Sequence, residues 1–380
     1  MKKGKRKVNA VIGTRLGEWR QTRGITAAAL ADRVGVRRQT IHAIEAGTYV
    51  PNTSVSLRLA EVLDVPVEQL FYLETEQAAD EQPQIALLLL RPQGAGSGAP
   101  LRLSEVGDHL IAVPSSVIPA FLPISDGVLV NCRQPRRALV QPFSAREDFS
   151  KTVLVAGCDP AMSFLAHHMH RMHETEMILA GTSSLQALHW LKEGKVHIAG
   201  SHLLDERTGE SNLPVLSRLF PSGGVKVVTF AMWQEGFVVA ANNPKRIRSV
   251  EDLAREDVTI VNRQEGSGSR FLLDRQLRRA AIDKRDIKGY DRIAPGHLAA
   301  AWHVANGLVD CCIAASAAAL ALQLDFVPLS AERYDLVIPD AYFDAAPVQA
   351  LLHEVTRASL RRELELLAGY DTRQTGNRVL

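Results

Sequence analysis

Cysteine is scarce in this chain of 380 residues, which contains only Cys132, Cys158, Cys311 and Cys312. No CxxC pair occurs, so the spacing predicts neither a disulfide framework nor a zinc ribbon. Long hydrophobic runs are also missing, because the longest, residues 85–90, is far shorter than the roughly 20 residues of a membrane-spanning helix. The basic N-terminus lacks the apolar segment of a signal peptide. We therefore expect a reduced, cytoplasmic protein without a membrane partner.

The composition excludes a disordered or fibrous chain. Hydrophobic residues make up 46% of the sequence and charged residues 23%, which are proportions typical of a soluble globular protein. A chain of this length rarely folds around a single core, so we expect a multidomain protein.

The net charge of +2 is unevenly distributed along the chain. Residues 1–75 contain twelve Lys and Arg against seven Asp and Glu, a net charge of +5 that leaves −3 for the rest. Basic charge gathered in one segment is typical of a nucleic-acid-binding module. We interpret residues 1–12 as a basic arm, although a solvated tail would have the same composition.

Two short helices joined by a tight turn are predicted between Thr26 and Gly47. Apolar residues recur at helical spacing through residues 27–34, and Thr26 is placed to cap this first helix. Gly35 supplies the turn, and a second helix begins near Arg37. A further helix is predicted from residue 13 to residue 23, and two more in residues 54–63 and 66–71.

Residues 13–75 resemble the lambda-repressor-like (XRE-type) helix-turn-helix family. The resemblance rests on the core LAxxxGVxRQTIxxIExG, a YxPN loop and the ending LAxxLxVPxxxLF. It implies an all-α helix-turn-helix bundle that binds double-stranded DNA with its second helix in the major groove. The residues that it places at the DNA are Arg37, Arg38, Gln39, Thr40, His42, Ala43, Thr48 and Asn52.

Arg38 and Gln39 stand at the start of this second helix, where Arg can bond guanine and Gln can bond adenine. Arg37 occupies a position at which related sequences usually carry a small capping residue, so a cap is lost and a phosphate contact is gained. One such module covers little DNA, and we therefore expect a homodimer. A helical bundle that binds another protein through the same face is the alternative.

Residues 76–150 contain no sequence motif that indicates catalysis or ligand binding. An acidic, Gln-rich start is typical of a linker, and the short apolar segments after it predict a small β-rich connector. A spacer, a dimerisation patch and an extension of the next domain all remain open.

Strand-like and helix-like segments alternate through residues 151–380. Such alternation predicts a parallel α/β sheet, in which ligands bind where strand C-termini meet helix N-termini. The segments VKVVTFAMW and QEGFVVAANNP are interpreted as a pair of apolar strands, and PVQALLHEVTRASLRRELELLAG as one closing helix.

The segment NRQEGSGSR follows a predicted strand and opens a predicted helix, but it fits neither the GxxxxGK[ST] nor the GxGxxG pattern. A helix N-terminus with neighbouring hydroxyl groups favours an anion. Small hydroxyl residues also follow other strands, so we expect a cleft of mostly neutral donors for an oxyanion, with a tight structural turn as the alternative. The candidate ligand-binding residues are Ser183, Ser184, Ser201, Ser267, Gly268, Ser269, Arg270 and His297.

This C-terminal region resembles the type 2 periplasmic-binding-protein fold, in the branch of molybdate-type binding components. The motifs are VNRQEGSGSRFLLD, APGHLAAAWHVANGLVDCCIAA and LDFVPLSAERYDLVIP. The resemblance implies a two-lobed α/β domain, and its fusion to a helix-turn-helix implies a ligand-responsive transcriptional regulator. Its ligand would be molybdate, tungstate or a molecule related to the molybdenum cofactor.

Three rival hypotheses compete with a regulator. The histidines of the helix after residue 160 could bind a metal through His167, His170 and Glu174, but HExxH is absent and we predict no metal. Cys158 could be the nucleophile of an enzyme with His202 or His297 as its base, but nothing in the sequence places them together, and we predict no catalysis and no cofactor. A constitutive DNA-binding or scaffold protein is the third possibility.

Overall fold

The computed structural model describes residues 11–74, 83–90, 98–115, 122–134, 137–144, 149–173, 175–205 and 207–380. The predicted linker that begins at residue 76 falls largely outside these ranges, as does most of the basic arm and Glu174. The chain divides into two compact units, Met1–Gln82 and Pro83–Leu380, which are described separately below.

The first unit is a small helical bundle closed by a two-stranded sheet. Its elements are β1 (Val11–Thr14), α1 (Leu16–Thr22), α2 (Ala27–Val34), α3 (Arg38–Glu45), α4 (Thr53–Leu63), α5 (Val67–Leu70) and β2 (Phe71–Glu74). Strands β1 and β2 pair antiparallel, which holds the two ends of the unit together. This pairing explains why the first helix begins at Leu16 and not at the predicted Gly13, and why the last helix ends before Phe71.

Local sequence signals set the helix boundaries in this unit. The Thr26 hydroxyl accepts a hydrogen bond from the Ala29 amide at 3.2 Å, as predicted for the cap of α2. Gly35 ends α2 with a φ of 74°, a left-handed conformation in which glycine is least strained. The helices enclose a core that includes Leu30 and Ile41, both fully buried.

The second unit begins with a closed five-stranded barrel. Its strands are β3 (Gln84–Leu88), β4 (Pro100–Val106), β5 (His109–Pro114), β6 (Gly127–Gln134) and β7 (Arg137–Pro142), in the order β3-β5-β4-β6-β7. Alternate strand residues point into the barrel, where Leu101, Leu103 and Val140 are fully buried. Closure leaves none of these strands with a free edge.

The remainder of the second unit is built on an eight-stranded sheet in the order β13-β12-β14-β11-β15-β10-β8-β9. The strands are β8 (Thr152–Gly157), β9 (Glu176–Gly181), β10 (Ile198–Ser201), β11 (Val225–Val239), β12 (Ile260–Arg263), β13 (Ile293–Ala294), β14 (Cys311–Ala315) and β15 (Asp325–Pro339). We name the side with β8, β9 and β10 lobe A, and the side with β12, β13 and β14 lobe B. Strands β11 and β15 run through both lobes.

The expectation of an all-parallel sheet is wrong, because the two long strands run against their neighbours. Strand β11 pairs antiparallel with both β14 and β15, and β15 pairs antiparallel with β10, whereas the other pairs in each lobe are parallel. The two predicted apolar strands of residues 225–244 are a single strand, β11, which ends at Val239. Gly236 permits the close approach of β15 to β11, since a Cβ there would lie 2.1 Å from the Val327 carbonyl oxygen on β15.

Helices cover both faces of the sheet. They are α6 (Met162–His173), α7 (Ser184–Lys192), α8 (Leu213–Leu219), α9 (Gly268–Arg279), α10 (His297–Ala305), α11 (Ser316–Ala321), α12 (Asp340–Phe343), α13 (Ala346–Val355) and α14 (Ala358–Glu363). The predicted single closing helix is therefore divided, with a break between α13 and α14. Among the helices of the described ranges, none combines the length and apolarity that a membrane crossing requires.

Candidate functional site

The predicted DNA-binding residues gather on and around α3 of the first unit. Arg37, Arg38, Gln39 and His42 are exposed, while the inner face of the helix packs into the core through Ile41 and Ile44, which is also buried. Arg37 precedes the helix without a side-chain cap, as expected from its identity. The bundle thus presents a polar helix face to solvent.

The remaining predicted DNA contacts have local roles as well. Thr40 and Ala43 are half-buried on α3, and the exposed Thr48 donates its hydroxyl proton to the Ala43 carbonyl at 3.0 Å. The Asn52 side-chain oxygen accepts a hydrogen bond from the Val55 amide at 3.0 Å and caps α4. Arg38 lies against His42, with 3.3 Å between Nε and Nε2.

A cavity of about 350 Å³ lies in the second unit at the C-terminal ends of β8 and β9. Lobe A contributes Gly157, Cys158, Asp159, Met162 and Thr182 among others, lobe B contributes Gln264, Pro295 and Gly296, and the barrel contributes Leu90, Val113 and Pro114. Both lobes and the barrel therefore enclose one space. Its volume falls in the range of roughly 300–1,000 Å³ that small-molecule pockets occupy.

Helix N-termini surround this cavity. Met162, the first residue of α6, lines it, as do Pro295 and Gly296, which directly precede α10. Thr182 also lines it and directly precedes Ser183, the N-cap of α7. The N-terminus of a helix carries partial positive charge, which favours an anion at these three places. The Met162 and Leu185 amides themselves are already hydrogen-bonded to the Asp159 and Gly266 carbonyls, at 3.2 and 3.1 Å.

The three serines predicted from lobe A are buried and already hydrogen-bonded within the chain. Ser183 accepts a hydrogen bond from the Gln186 amide at 3.4 Å and caps α7. Ser184 accepts one from the His202 amide at 3.3 Å. Ser201 donates to the Asn212 side-chain oxygen at 2.8 Å. Their immediate role is to fix the strand ends around the cavity.

The predicted GSGSR segment does open a helix after a strand, as the sequence indicated. Ser267 caps α9 by accepting a hydrogen bond from the Arg270 amide at 3.3 Å. Gly268 lies against His202, because a Cβ there would be 2.3 Å from the imidazole Cε1. Ser269 donates to the Glu235 carboxylate at 2.7 Å.

Arg270 has partners outside the cavity. Its Nε donates to Asp274, one turn further along α9, at 3.2 Å, and its guanidinium lies 4.2 Å from the centre of the Tyr290 ring. It does not line the cavity described above. Arg263 is the buried cation of this region instead, with 1% of its surface exposed.

Cys158, His202 and Glu332 form a chain of contacts where the two lobes meet. Cys158 Sγ lies 3.2 Å from His202 Nε2, and His202 Nδ1 lies 2.7 Å from Glu332 Oε2. His202 and Glu332 are buried, whereas Cys158 is half-buried at the cavity wall. The proximity of Cys158 and His202, for which the sequence offered no sign, is therefore present in the structure.

His297 lies beside this chain of contacts, at the N-terminus of α10. Its Nδ1 accepts a hydrogen bond from the Ala315 amide at 3.0 Å, so the neutral ring carries its proton on Nε2. Burial lowers the pKa of His297 well below its usual value, and the charges of Arg263 and His202 lower it further. His297 Nε2 has no hydrogen-bond partner among the described residues. This nitrogen is therefore a buried N–H donor that is available to an acceptor from a bound ligand.

Glu235 on β11 completes the cluster. Burial, followed by the charge of the nearby Glu332, raises the pKa of its carboxyl to about 7. One carboxyl oxygen accepts from Ser269, whereas Oε2 has no partner among the described residues. One Arg263 nitrogen, Nη2, is likewise unpartnered there. The prediction of a cleft with mostly neutral donors is therefore corrected, because several buried ionisable groups lie next to the cavity.

Glu235, Glu332 and Arg263 were not among the predicted site residues. Glu235 stands in a largely apolar stretch of β11 and Arg263 ends the short strand β12, and a charge in such a segment is the signal that could have identified these two. Glu332 lies on β15 next to Arg333 and close to Asp335, so its segment gives no such signal. What brings Glu235 and Glu332 together is the pairing of β11 with β15.

Two groups of side chains in the described ranges have the spacing of metal ligands. They are Cys158 with His202 and His297, and His202 with Glu235 and Glu332, with the donor atoms of each group within 4.8 Å of one another. The first group is a poor metal site, because the Nδ1 lone pair of His297 is taken by the Ala315 amide and Nε2 is protonated. In the second, His202 Nδ1 is engaged by Glu332.

Comparison with known proteins agrees with this architecture. Residues 165–356, about half of the chain, match the family described as the PBP superfamily domain. The uncharacterized protein YvgK of Bacillus subtilis (strain 168) is 32% identical over 245 residues, which are 64% of this chain and 79% of that protein. The chain belongs to the PBP superfamily.

The N-terminal part of this PBP-superfamily chain matches a helix-turn-helix domain over residues 11–71. An uncharacterized HTH-type transcriptional regulator of Archaeoglobus fulgidus is 39% identical over 64 residues, which are 17% of this chain and 91% of that protein. The structure of the tungstate ABC transporter from Geobacter sulfurreducens aligns with 58% of this chain and 98% of its own, at 13% identity and a TM-score of 0.43.

These matches confirm the predicted fusion of two domain types. A DNA-binding helix-turn-helix regulator domain precedes a ligand-binding domain of the PBP superfamily in one chain.

Proposed function

We propose that this chain is a ligand-responsive transcriptional regulator without catalytic turnover. It acts in the cytoplasm as a homodimer whose paired helix-turn-helix domains bind double-stranded DNA. A small anionic ligand enters the cavity between lobes A and B and changes the affinity for DNA. The observation that carries the proposal is a cavity ringed by helix N-termini in a chain that also has a DNA-binding domain.

The exposed face of α3 supports the DNA-binding half of the proposal. Arg38 and Gln39 are exposed at the start of the helix, and both side chains can bond base edges in the major groove. A single helix reads few base pairs, so specific binding requires two half-sites and two copies of the domain.

Two kinds of group support an anionic ligand. The N-termini of α6, α7 and α10 border the cavity. The buried His297 Nε2–H has no hydrogen-bond partner among the described residues, and one nitrogen of the same ring lies within 4.8 Å of Cys158 Sγ. The carboxyl groups of Asp159 and Glu235 repel an anion less strongly than two fully ionised carboxylates would. Burial raises the pKa of Glu235 to about 7, so this carboxyl is partly neutral at neutral pH, and that of Asp159 to about 6, so it loses its charge only in mildly acidic solution.

Within this class of ligands we propose molybdate, tungstate or a molecule related to the molybdenum cofactor. Hydrogen-bond donors and helix termini suit an oxyanion, which needs little formal countercharge. The volume of about 350 Å³ also accommodates an organic group that carries the anion.

Strands β11 and β15 are the proposed hinge, because they are continuous between the lobes. Closure of the lobes on the ligand would change the orientation of the paired DNA-binding domains. Effector and DNA binding must then be reciprocally coupled, typically by about 1–3 kcal/mol.

Thermal unfolding of the full chain with added molybdate, tungstate, sulfate or phosphate tests the ligand proposal. A bound anion stabilises the native state by about 2.7 kcal/mol at a hundredfold excess over its dissociation constant. Thr182→Trp, which fills the cavity, should abolish this effect, whereas Thr208→Trp on an exposed turn should retain it. If none of the four anions stabilises the protein, the anion-sensor proposal fails and a constitutive DNA-binding protein is favoured.

A further inference from the structure

We propose that Cys158 is a nucleophilic thiolate that captures a small carbonyl-activated electrophile in the cavity as a covalent adduct. The adduct is stoichiometric, and its formation does not require an anion in the cavity.

The contacts of Cys158 are those of an activated thiol. An imidazole nitrogen lies 3.2 Å from Sγ, and a carboxylate oxygen lies 2.7 Å from the opposite nitrogen of the same ring. The carboxylate of Glu332 fixes the orientation of His202 and stabilises it in the charged form. An adjacent imidazolium favours the thiolate, which is the nucleophilic form of cysteine.

Six titratable groups surround His202, and three of them favour its charged form. The six groups are Cys158 and Asp159 after β8, Glu235 on β11, His297 on α10, and Glu332 and Tyr334 on β15. Burial by itself lowers the pKa of His202. The contacts with Cys158, Glu332 and Glu235 outweigh burial and raise this pKa well above its usual value.

The His297 Nε2–H, which has no hydrogen-bond partner in the described part of the chain, indicates what the thiolate attacks. His297 is 1% exposed, and one of its ring nitrogens lies within 4.8 Å of Cys158 Sγ. Because Nδ1 is occupied by the Ala315 amide, the ring can offer only an N–H to a ligand. A neutral donor beside a nucleophile suits an oxygen that gains negative charge during the reaction.

The cavity wall matches the rest of such a molecule. Leu90, Val113, Met162 and Leu179 line it and provide an apolar surface for a carbon skeleton. Cys158 lines the same cavity, so the thiolate is accessible from it.

The addition step balances without a further reactant. The thiolate forms a bond to the electrophilic carbon of an α,β-unsaturated carbonyl compound, and the carbon–carbon π pair shifts to give an enolate. The His297 N–H donates a hydrogen bond to the enolate oxygen. The His202 imidazolium supplies the proton that converts the enolate to the saturated carbonyl product, which leaves His202 neutral.

The other cysteines provide internal controls. Cys132 on β6 is exposed, whereas Cys311 and Cys312 on β14 are buried. Burial raises the pKa of the Cys312 thiol to about 12 and that of the Cys311 thiol well above its usual value, so neither competes for an electrophile. Cys132 therefore reports the behaviour of an accessible thiol in the same molecule.

The test is labelling of the full-length protein with limiting N-ethylmaleimide, followed by peptide mass mapping. At pH 6 we expect the adduct at Cys158 to form at least tenfold faster than at Cys132. Because an imidazolium beside Sγ favours the thiolate, the Cys158 labelling rate should rise less between pH 6 and pH 8 than the Cys132 rate. Equal rates at pH 6, or the same rise for both cysteines, would overturn the proposal.

Two variants distinguish activation of the Cys158 thiol by His202 and Glu332 from simple accessibility of that thiol. Glu332→Gln preserves the shape of the carboxyl group and should slow Cys158 labelling at pH 6 at least fivefold, with the Cys132 rate unchanged. His202→Gln should make the Cys158 labelling rate as dependent on pH as the Cys132 rate. If His202→Gln fails to fold, Glu332→Gln still decides, since an unchanged Cys158 rate in that variant contradicts the proposed activation.

The class of electrophile is tested at His297. His297→Leu removes the donor and should slow the addition of N-ethylmaleimide to Cys158 at least fivefold. The rate of Cys158 alkylation by iodoacetamide, a displacement that generates no enolate, should change less than twofold. His297→Gln retains an N–H donor and should restore part of the addition rate. If both reagents slow equally in His297→Leu, or if hydrogen peroxide modifies Cys158 faster than N-ethylmaleimide, the assignment of a carbonyl-activated electrophile is wrong.

Discussion

Replacement of Glu354 by Gln should weaken lobe A in a pH-dependent manner. Glu354 on α13 is fully buried, and its two oxygens lie 2.8 Å from His168 Nδ1 and 2.9 Å from His173 Nε2 on α6. The other nitrogen of His168 lies 2.9 Å from Glu363. This network joins α6 to the C-terminal helices, and the substitution removes its central charge while the side-chain volume is preserved.

The pKa shifts in this network determine the pH window. Burial lowers the pKa of His168, but hydrogen bonds to Glu363 and Glu354 outweigh it and leave the pKa above its usual 6.5. The histidine therefore contributes stability that is complete below pH 6.5 and is lost as the pH rises through its folded-state value. Burial raises the pKa of Glu354, but hydrogen bonds from His173 and His168 lower it below 4.5. Its contribution is complete above pH 4.5 and is lost at lower pH.

The network is therefore at full strength between about pH 4.5 and 6.5. Removal of one partner from a buried ion pair costs about 3–5 kcal/mol, which is an upper bound here because Gln retains neutral hydrogen bonds. We expect Glu354→Gln to lower the free energy of unfolding by about 2–3 kcal/mol at pH 5.5. The loss should be smaller at pH 8.5.

Chemical denaturation of the full chain at the two pH values measures this difference. Glu256→Gln on the exposed surface of lobe B is the matched control, for which the change should stay within about 0.5 kcal/mol. An equal loss at pH 5.5 and pH 8.5, or a loss below 1 kcal/mol at pH 5.5, would refute the assignment of a charged network.

Three further predictions concern the lobes, the ligand and the DNA. Gly200→Ala would place a Cβ 1.9 Å from the Tyr334 hydroxyl and should destabilise the protein by more than about 3 kcal/mol, whereas Gly181→Ala, with open space around it, should melt near the wild-type temperature. Stabilisation by tungstate should be larger at pH 6.5 than at pH 8, since the Glu235 carboxyl loses its charge on acidification, and equal thermal shifts would contradict this. Arg38→Ala should weaken specific DNA binding by about 1–3 kcal/mol and relax selection at one base pair, as measured by binding isotherms on selected and substituted sites.

The elements predicted correctly from the sequence are those set by nearby residues. Thr26, Gly35 and the apolar spacing of α2 act within one or two turns, so the helix-turn-helix could be predicted in detail. The capping role of Ser267 is equally local, which explains why the strand–turn–helix at residues 260–279 was predicted.

Features that depend on distant pairing could not be predicted in this way. The antiparallel course of β11 and β15 follows from how the chain crosses between the lobes, and the alternation of strands and helices does not encode it. Glu332 lies 130 residues from His202 in sequence and 2.7 Å from it in space. The Cys158–His202–Glu332 contacts therefore emerge only from the folded sheet.

The central claim is that a ligand in the second unit controls DNA binding by the first. Its most direct test is the affinity of the full-length protein for a DNA site selected from a random pool, measured at fixed salt with and without saturating molybdate or tungstate. A change of about 5- to 150-fold in either direction is predicted, corresponding to about 1–3 kcal/mol of coupling, and Thr182→Trp should abolish it. An affinity that is the same with and without an anion shown to bind the protein would contradict the account.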